Sequence, residues 1–509
     1  MRSSSVGLGA VVFVSAAAAL MLEIIAGRLI APYVGMSLYS WTAIIGVVLA
    51  GLSVGHFIGG MLADGGLDAE RGRMRLALAL AAAAIASLAV LLLLRLVAQA
   101  LLGRGLSPLL EILGLVFGLF FVPSLFSGVV SPLATKLAVD AAPERAGAVI
   151  GRMFALGALG SIAGTLLTGF VLIGWLGSTL SVLVVAFLYA AMALAMTWRH
   201  RRASVAVAAT LAVAAVAIVL GGSAWRPLAS PCAVESSYYC LRIDDMTPLT
   251  GRPSGVLVID HLAHGINDRD EPRLLYSPYL ALADELTRRR VGDRPVRAFF
   301  VGGGAYTLPR AWQEEGARLL VSEIDPVVTR TARDRMWLRD GGGLEVVHAD
   351  ARVTLDRLPA GERFDVVFGD AYQDVTIPPH LVTREFHQAI ARHLTPDGLY
   401  IANLIDAYPR PGLLPSLVRT LQADFADVGV WLDEESRAGG GRVTYLVVAS
   451  ARPIELAQIE GGRFIPRRWQ RLAPQDYAGG SPGIVLTDDY APVDRLMSRV
   501  TLDAGLAGE

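Results

Sequence analysis

The sequence predicts a multi-span α-helical membrane domain of about seven helices, followed by a Rossmann-like α/β domain with a small β-sheet in front of it. Of its 509 residues, 53% are hydrophobic and 18% charged, whereas about a quarter of an ordinary soluble domain is charged. Nearly all the long apolar runs precede residue 223, and strand and helix patterns alternate from residue 296. We predict a membrane domain at 1–222, a linker at 223–234, the small sheet at 235–290 and a nucleoside-binding catalytic domain at 291–509.

Seven apolar stretches reach the roughly 20 residues that a helix needs to cross a bilayer. The predicted spans are 6–27, 40–63, 75–102, 109–137, 147–173, 179–198 and 203–222. Glycines spaced by four, at Gly51, Gly55 and Gly59 and again at Gly160 and Gly164, favour close helix packing inside lipid. The lipid bilayer is therefore an expected partner, and the cell membrane the expected location.

Two features of the sequence bear on the orientation of the chain in the membrane. With seven spans, the N-terminus and the loops on its side of the membrane hold most of the arginines of the predicted membrane domain. This favours a cytoplasmic N-terminus and an external C-terminal domain. Cys232 and Cys240 follow the last span, and a disulfide between them would fit an oxidising compartment. Two free cysteines are equally compatible with the sequence. The net charge of −1 gives no indication of nucleic-acid binding.

Alternating strands and helices in the second half predict a mainly parallel sheet covered by helices. The predicted small sheet contains strands at 236–243, 255–260 and 261–266. The strands predicted for the main sheet are 296–301, 318–323, 344–348, 364–369, 398–404, 427–432 and 443–449. The helices predicted between them are 306–316, 326–338, 351–358, 381–394 and 412–424. Ligands of such folds bind at the carboxyl ends of the strands.

The first two of these strand ends predict a nucleoside site. Gly302, Gly303 and Gly304 follow the first strand, where glycine lets a ligand approach the backbone closely. Glu323 ends the second strand some twenty residues later, at the position where a carboxylate accepts the ribose hydroxyls. A tight strand-to-helix turn is the alternative explanation of the glycines. Asp325 is expected to cap the next helix.

The next two strand ends also carry carboxylates. Asp350 follows the third strand, where it can accept a hydrogen bond from an adenine amine or simply cap the following helix. Asp370 follows the buried fourth strand and would face the reactive end of a bound nucleoside. Asp374 is a second acid close to it, whereas Asp365, at the start of that strand, is expected to be structural.

These sites, in this order, resemble the spermidine synthase family of aminopropyltransferases, and the resemblance extends over about 235–450. The segment "VLVIDHLAHGINDRDEPRLLYSPYLALA" is similar to the family's motif ahead of its nucleotide domain. The whole chain resembles the bacterial members that join several membrane spans to a synthase-like domain. The resemblance therefore implies a spermidine synthase-type fold and a transferase that releases methylthioadenosine.

The resemblance also implies roles for particular residues. Gly302 to Gly304, Glu323 and Asp350 would hold the adenosyl part of decarboxylated or intact S-adenosylmethionine as co-substrate, and no metal is expected. Asp370 would be the catalytic base toward an attacking amine or polyamine. The residues expected to bind that amine are His264, Tyr276, Tyr372 and Asp374. Two copies would pair through the small sheet.

This sequence departs from the family on the polyamine side of the site. The family's glycine loop ends in Asp, which pairs with the aminopropyl ammonium, but here the position is Ala305. Gln373 stands where the family has the second Asp of its catalytic loop. An alanine would not repel the carboxylate of intact S-adenosylmethionine, so that compound is a second possible ligand.

Three function classes follow. The first is a membrane-bound aminopropyltransferase, which takes the aminopropyl group from decarboxylated S-adenosylmethionine. The second is an S-adenosylmethionine-dependent transferase of another group, such as methyl. The third is a transporter or sensor that binds a nucleoside or polyamine without turnover, with Glu23 and His56 inside the helices. Supply of the co-substrate favours a cytoplasmic second domain, against the charge bias of the loops.

Overall fold

A computed structural model of the chain describes residues 2–64, 68–198, 204–213, 230–292, 294–373, 376–477, 482–498 and 500. The chain divides into two compact units, Met1–Cys240 and Leu241–Glu509. The first unit is built of long apolar helices and the second of two β-sheets with helices. Each unit is described separately below.

The first unit consists mainly of helices that are apolar around most of their circumference. They are α1 (Arg2–Val34), α2 (Leu38–Ala63), α3 (Ala69–Leu101), α4 (Pro108–Asp140), α5 (Ala146–Leu167), α6 (Ile173–Thr197) and the short α7 (Ser204–Val213). A π-helical turn, Thr168–Leu172, joins α5 to α6 without a loop. Strand β1 (Val234–Glu235) lies near the end of the unit.

The prediction of seven spans is wrong. The described residues contain five helices that are long and apolar enough to cross a membrane, and these are compatible with a membrane protein. The predicted spans 147–173 and 179–198 lie in one apolar segment of 55 residues, Pro143–Thr197, because no polar loop separates α5 from α6. Of the predicted span 203–222, the structure describes α7, and residues 203 and 214–222 lie outside the described residues.

The glycine seams predicted from the sequence are confirmed as helix contacts. A Cβ atom added at Gly55 would lie 2.1 Å from the carbonyl oxygen of Leu125 on α4. One added at Gly160 would lie 2.1 Å from the carbonyl oxygen of Phe13 on α1. Helices α2 and α5 therefore approach their neighbours through bare backbone, as small residues allow in membrane proteins.

A disulfide-closed segment follows the helices within the first unit. Of the two alternatives that the sequence left open, the structure has the bridge between Cys232 and Cys240. Between them, the carboxylate of Glu235 accepts hydrogen bonds from the Ser178 backbone nitrogen at 2.7 Å and its hydroxyl at 2.9 Å. Gly177 interrupts α6 with a φ of 73°. Glu235 therefore caps the helical turn that restarts at Ser178.

The second unit begins with a small antiparallel sheet. Strand β3 (Ser254–Ile259) pairs with β2 (Cys240–Asp245) on one side and with β4 (Leu262–Asp268) on the other. A four-residue helix, α8 (Thr247–Thr250), joins β2 to β3, and α9 (Pro278–Val291) follows the sheet. The three strands predicted for this sheet are present, displaced by a few residues.

The main sheet of the second unit has nine strands in the order β12-β13-β10-β11-β9-β8-β5-β6-β7. Its strands are β5 (Arg297–Val301), β6 (Arg318–Ser322), β7 (Leu344–Val347), β8 (Phe364–Gly369), β9 (Leu394–Tyr408), β10 (Asp427–Asp433), β11 (Gly441–Ser450), β12 (Gln458–Gly461) and β13 (Arg467–Arg471). Strands β5 to β9 pair in parallel, and the others pair antiparallel. All seven predicted strands are confirmed, and β12 and β13 were not predicted.

Helices connect the parallel strands. They are α10 (Thr307–Gln313), α11 (Pro326–Arg335), α12 (Ala351–Arg357), α13 (Arg384–Arg392) and α14 (Leu414–Leu421), with the short α15 (Glu434–Gly439), α16 (Pro474–Tyr477) and α17 (Val493–Leu496) beyond. The chain leaves β5 toward β6 on one side and later returns with β8 on the other. A crevice opens where the direction reverses, and this is where doubly wound folds bind ligands.

Candidate functional site

The glycine loop after β5 passes directly beside the end of β8. Gly302 and Gly304 have φ values of 91° and 50°, in the region that favours glycine. A Cβ atom on Gly302 would lie 2.6 Å from the carbonyl oxygen of Asp370. The loop therefore needs glycine both for its conformation and for its close approach to β8.

Glu323, just beyond the end of β6, is bonded to this loop. One of its carboxylate oxygens accepts from the Gly303 backbone nitrogen at 2.8 Å, and the other accepts from the Asp325 backbone nitrogen at 2.9 Å. The side chain is buried, and burial raises the pKa of Glu323 above its usual value. Asp325 accepts from the Val327 backbone nitrogen and caps α11, as predicted. Glu323 thus fixes the glycine loop against β6.

Asp350, beyond β7, is the N-cap of α12. Its carboxylate accepts from the backbone nitrogens of Arg352 at 2.9 Å and Val353 at 3.2 Å. Its second oxygen pairs with Nε2 of His380 at 2.8 Å. The capping role that the sequence offered as an alternative is therefore present. Together with the bond to His380, capping leaves about one of the four acceptor positions of the carboxylate unused.

Asp370 is held by two side chains from other elements. Its Oδ1 accepts from the Asn403 amide nitrogen on β9 at 2.7 Å, and its Oδ2 accepts from the Tyr279 hydroxyl on α9 at 3.3 Å. Burial raises the pKa of Asp370 to about 6, and the two hydrogen bonds oppose that rise. A carboxyl with this pKa is mostly ionised at pH 7 and can accept a proton from a neighbouring amine.

A cavity lies between the glycine loop, Asp370 and the small sheet. It is lined by His264, Tyr279, Leu280, Phe300, Gly302, Gly303, Gly304, Ala305, Thr307, Leu308, Pro309, Phe368 and Asp370. The structure thus brings together three predicted features: the glycines, Asp370 and His264. Glu323 and Asp350 are not among these lining residues, and Glu323 is bonded to the glycine loop through the Gly303 backbone nitrogen.

His264 presents a polar atom with no partner in this cavity. Its Nε2 is buried and forms no hydrogen bond with the described residues. Burial, together with a smaller contribution from the neighbouring His261, lowers the pKa of His264 to about 4. The imidazole is therefore neutral at pH 7. A buried polar atom without a partner is costly in a folded protein, unless a ligand or water satisfies it.

Among the described residues, no group of three or more His, Cys, Asp or Glu side chains could hold a metal ion. The polar groups around the cavity are instead a carboxylate, an imidazole, two hydroxyls and backbone amides. These groups can bind a ligand through hydrogen bonds and charge.

Two curated relatives are similar to part of the chain. The polyamine aminopropyltransferase of Vibrio vulnificus (strain CMCP6) is 29% identical over 136 residues, which are 26% of this chain and 45% of the relative. The probable polyamine aminopropyl transferase of Bifidobacterium longum (strain NCC 2705) is 28% identical over 116 residues, 22% of this chain and 25% of the relative. The chain is related to the polyamine aminopropyltransferases. The predicted resemblance is thereby confirmed, although the match spans less than half of either relative.

Solved structures of lower similarity include synthases and methyltransferases. A probable spermidine synthase from Corynebacterium glutamicum ATCC 13032 is 19% identical, with a TM-score of 0.43 over 50% of this chain and 95% of that one. A spermidine synthase in complex with the transition state analogue AdoDATO is 21% identical, with a TM-score of 0.31 over 39% and 65%. Human methyltransferase-like protein 13 in complex with SAH is 23% identical, with a TM-score of 0.29 over 39% and 83%. No protein-family model matches the chain.

Tyr276 and Tyr372, which were also predicted to bind the amine of an aminopropyltransferase, are not among the residues that line this cavity. The Tyr276 hydroxyl donates to Asp268 at 3.1 Å. The Tyr372 hydroxyl is bonded to the backbone of β9. Asp374 is outside the described residues. The roles of these three residues therefore stay predictions without a contact that supports them.

Sequence reasoning missed two residues that touch Asp370. Tyr279 lies in the first turn of α9, three residues after Tyr276, and its side chain reaches the carboxylate that Tyr276 does not reach. Asn403 is a polar residue within the apolar run of β9, which was a usable signal because a buried amide needs a partner. Asp365 is structural, as expected, because Arg294 binds both of its carboxylate oxygens.

Proposed function

We propose that this chain is a membrane-bound aminopropyltransferase, which transfers the aminopropyl group of decarboxylated S-adenosylmethionine to an amine or polyamine and releases methylthioadenosine. The observation that carries the proposal is the position of Asp370, a partly buried carboxylate beside the glycine loop at the switch point of the sheet. The relationship to polyamine aminopropyltransferases supports it.

The adenosyl part of the donor would lie along the carboxyl ends of β5, β6 and β7. Glu323 accepts backbone hydrogen bonds from Gly303 and Asp325, with a further contribution from Gly304, so about one of its acceptor positions remains for a ribose hydroxyl. Asp350 retains about one acceptor position, which is enough for the exocyclic amine of adenine. The open backbone of Gly302 to Gly304 would let the sulfur approach the end of β5.

The chemistry needs a deprotonated amine, because amines have pKa values near 10 and are mostly protonated at pH 7. The ionised Asp370 would bind the attacking amine and accept its proton. The amine nitrogen would then form a bond to the carbon next to sulfur while the carbon–sulfur bond breaks. The electron pair stays on sulfur, so methylthioadenosine leaves as a neutral thioether. Asn403 and Tyr279 orient the carboxylate for this step.

The helices of the first unit would anchor the enzyme in the bilayer. The basic loops and the Cys232–Cys240 bridge together favour an external second unit. After reduction of intact cells with an impermeant reductant, an impermeant maleimide would label these cysteines. Labelling only after lysis would contradict this orientation.

The activity is tested on the purified full-length chain in detergent. Decarboxylated S-adenosylmethionine and a diamine should yield methylthioadenosine and the lengthened amine in equal amounts, as measured by mass spectrometry. Asp370→Asn is the matched control for contaminating activity. Release of S-adenosylhomocysteine from the intact compound, or binding without any product, would contradict the proposal. Pairing of two copies through the small sheet is a separate proposal, tested by light scattering.

A further inference from the structure

The charged side chains among the described residues that line the cavity are all of one sign. Among its described lining residues, Asp370 is the one carboxylate, and none is a lysine or arginine. The imidazole of His264 and the hydroxyl of Tyr279 are neutral at pH 7, because burial lowers the pKa of the former and raises that of the latter. The cavity therefore supplies a single negative charge, at the end where the attacking amine would bind.

A decarboxylated donor would bring more positive charge than the described lining residues can pair. Besides its sulfonium, such a donor carries an ammonium group at the end of its propyl chain, and the acceptor carries a second ammonium. One carboxylate cannot pair with both, and a buried charge without a partner is strongly unfavourable. A donor that keeps its α-carboxylate neutralises its own ammonium group.

Another part of the cavity lining suits a carboxylate better than a cation. It contains the side chain of Ala305, which carries no charge, and Nε2 of His264, which has no partner. A Cβ atom on Gly304 would lie 3.9 Å from the Cβ of His264, so the imidazole stands beside the glycine loop. In its Nε2–H tautomer this neutral imidazole can donate to a carboxylate oxygen.

From this arrangement we infer that the enzyme also accepts intact S-adenosylmethionine, with His264 and Ala305 forming the subsite for its amino acid end. The inference rests on the proposed function. The amine nitrogen bonds to the γ-carbon of the donor, and the bond from that carbon to sulfur breaks with its electron pair left on sulfur. The amine gains a 3-amino-3-carboxypropyl group, its proton passes to Asp370, and methylthioadenosine leaves.

The test compares the two donors on the purified full-length chain with one diamine. We expect kcat/KM for the intact donor to be within about tenfold of that for the decarboxylated donor, or higher, since one hydrogen bond to a charged group separates them. The products are methylthioadenosine with either donor, and the amine extended by the carboxylated group with the intact donor.

Two variants test the subsite itself. Ala305→Asp should shift the preference toward the decarboxylated donor by about tenfold or more, because it supplies the missing charge. Ala305 is only 2% exposed, so His264→Glu, at a half-buried side chain, provides the same change with less risk to folding. His261→Gln, an adjacent histidine outside the cavity lining, is the matched control and should leave the preference unchanged.

The possible outcomes distinguish a failure of this inference from a failure of the proposed function. Comparable use of both donors, with a shift in His264→Glu, supports it. A preference of the natural chain for the decarboxylated donor greater than about tenfold overturns the inference and leaves the proposed function standing. S-adenosylhomocysteine as the product, or no methylthioadenosine from either donor, overturns both.

Discussion

The two walls of the cavity differ in how completely their polar groups are satisfied. On one wall, both oxygens of Asp370 accept hydrogen bonds, from Asn403 and Tyr279. On the other, His264 has a buried nitrogen with no partner among the described residues, beside the apolar Ala305. The first wall is already organised for proton transfer, whereas the second is completed only by a ligand.

This difference predicts that the two walls control different parts of the proposed reaction. A carboxylate with fixed orientation and a pKa of about 6 suits the acceptance of a proton. A neutral wall with one unsatisfied nitrogen is proposed to determine which donor fits, with little effect on proton transfer. Substitutions on the first wall should therefore change turnover and its pH dependence, and those on the second should change donor preference.

The largest effect is expected for Asp370→Asn. Losing the proton acceptor should lower kcat/KM by about 10³-fold, within the usual range for general base catalysis. The raised pKa means that ionised Asp370 costs stability above pH 6 in the folded state, so the variant should melt no lower than the natural chain at pH 8. Asp488→Asn, a surface carboxylate paired with Arg352, is the control. Retention of most of the activity by Asp370→Asn would remove the base from the mechanism.

Glu323→Gln should have the next largest effect, on both nucleoside binding and stability. The amide can accept only one of the two backbone hydrogen bonds from Gly303 and Asp325. An unsatisfied buried donor costs about 1–3 kcal/mol, so the melting temperature should fall. Affinity for methylthioadenosine, measured by calorimetry, should fall about tenfold or more. An unchanged affinity would mean that Glu323 holds the loop without touching the ribose.

Asn403→Ala should shift the pH dependence of the reaction. The Asn403 hydrogen bond lowers the pKa of Asp370, so its loss should raise that pKa by about one unit. The acid limb of the kcat/KM profile should then move to higher pH. At pH 9, kcat/KM of the variant should differ less from that of the natural chain. An acid limb at the same pH in both proteins would show that Asn403 does not act on the titrating group.

The smallest effect separates two tyrosines three residues apart. Tyr279→Phe removes the hydroxyl that donates to Asp370, and kcat should fall about tenfold. Tyr276→Phe removes a hydroxyl bonded to Asp268, outside the cavity, and kcat should change less than about twofold. Steady-state kinetics on the pair decides which tyrosine serves the site, and the reverse order would contradict the structure.

The sequence predicted the parallel part of the sheet because its strands are buried apolar runs separated by amphipathic helices. Strands β12 and β13 were missed because "QIEG" and "RRWQR" are short and polar. Fewer candidate spans are found among the described residues than were predicted, because no polar loop separates α5 from α6 and most of the last predicted span lies outside the described residues.

The positions of Glu323, Asp350 and Asp370 just beyond strand ends were predictable, since parallel strands bring their carboxyl ends to one edge of the sheet. The choice between Tyr276 and Tyr279 was not predictable, because it depends on where α9 starts relative to β8. The hydrogen bond from Asn403 also depends on the register between β8 and β9, which pairs Gly369 with Ala402. Such contacts arise from tertiary packing, and local sequence does not encode them.

The central claim is that Asp370 accepts the proton of the attacking amine, and its pH dependence tests this most directly. Release of methylthioadenosine by the natural chain should be followed from pH 4.5 to 9, at saturating amine. The account predicts an acid limb with an inflection near pH 6, set by Asp370, that is missing from the residual activity of Asp370→Asn. The same limb in that variant, or a rate independent of pH between 5 and 7, would contradict it.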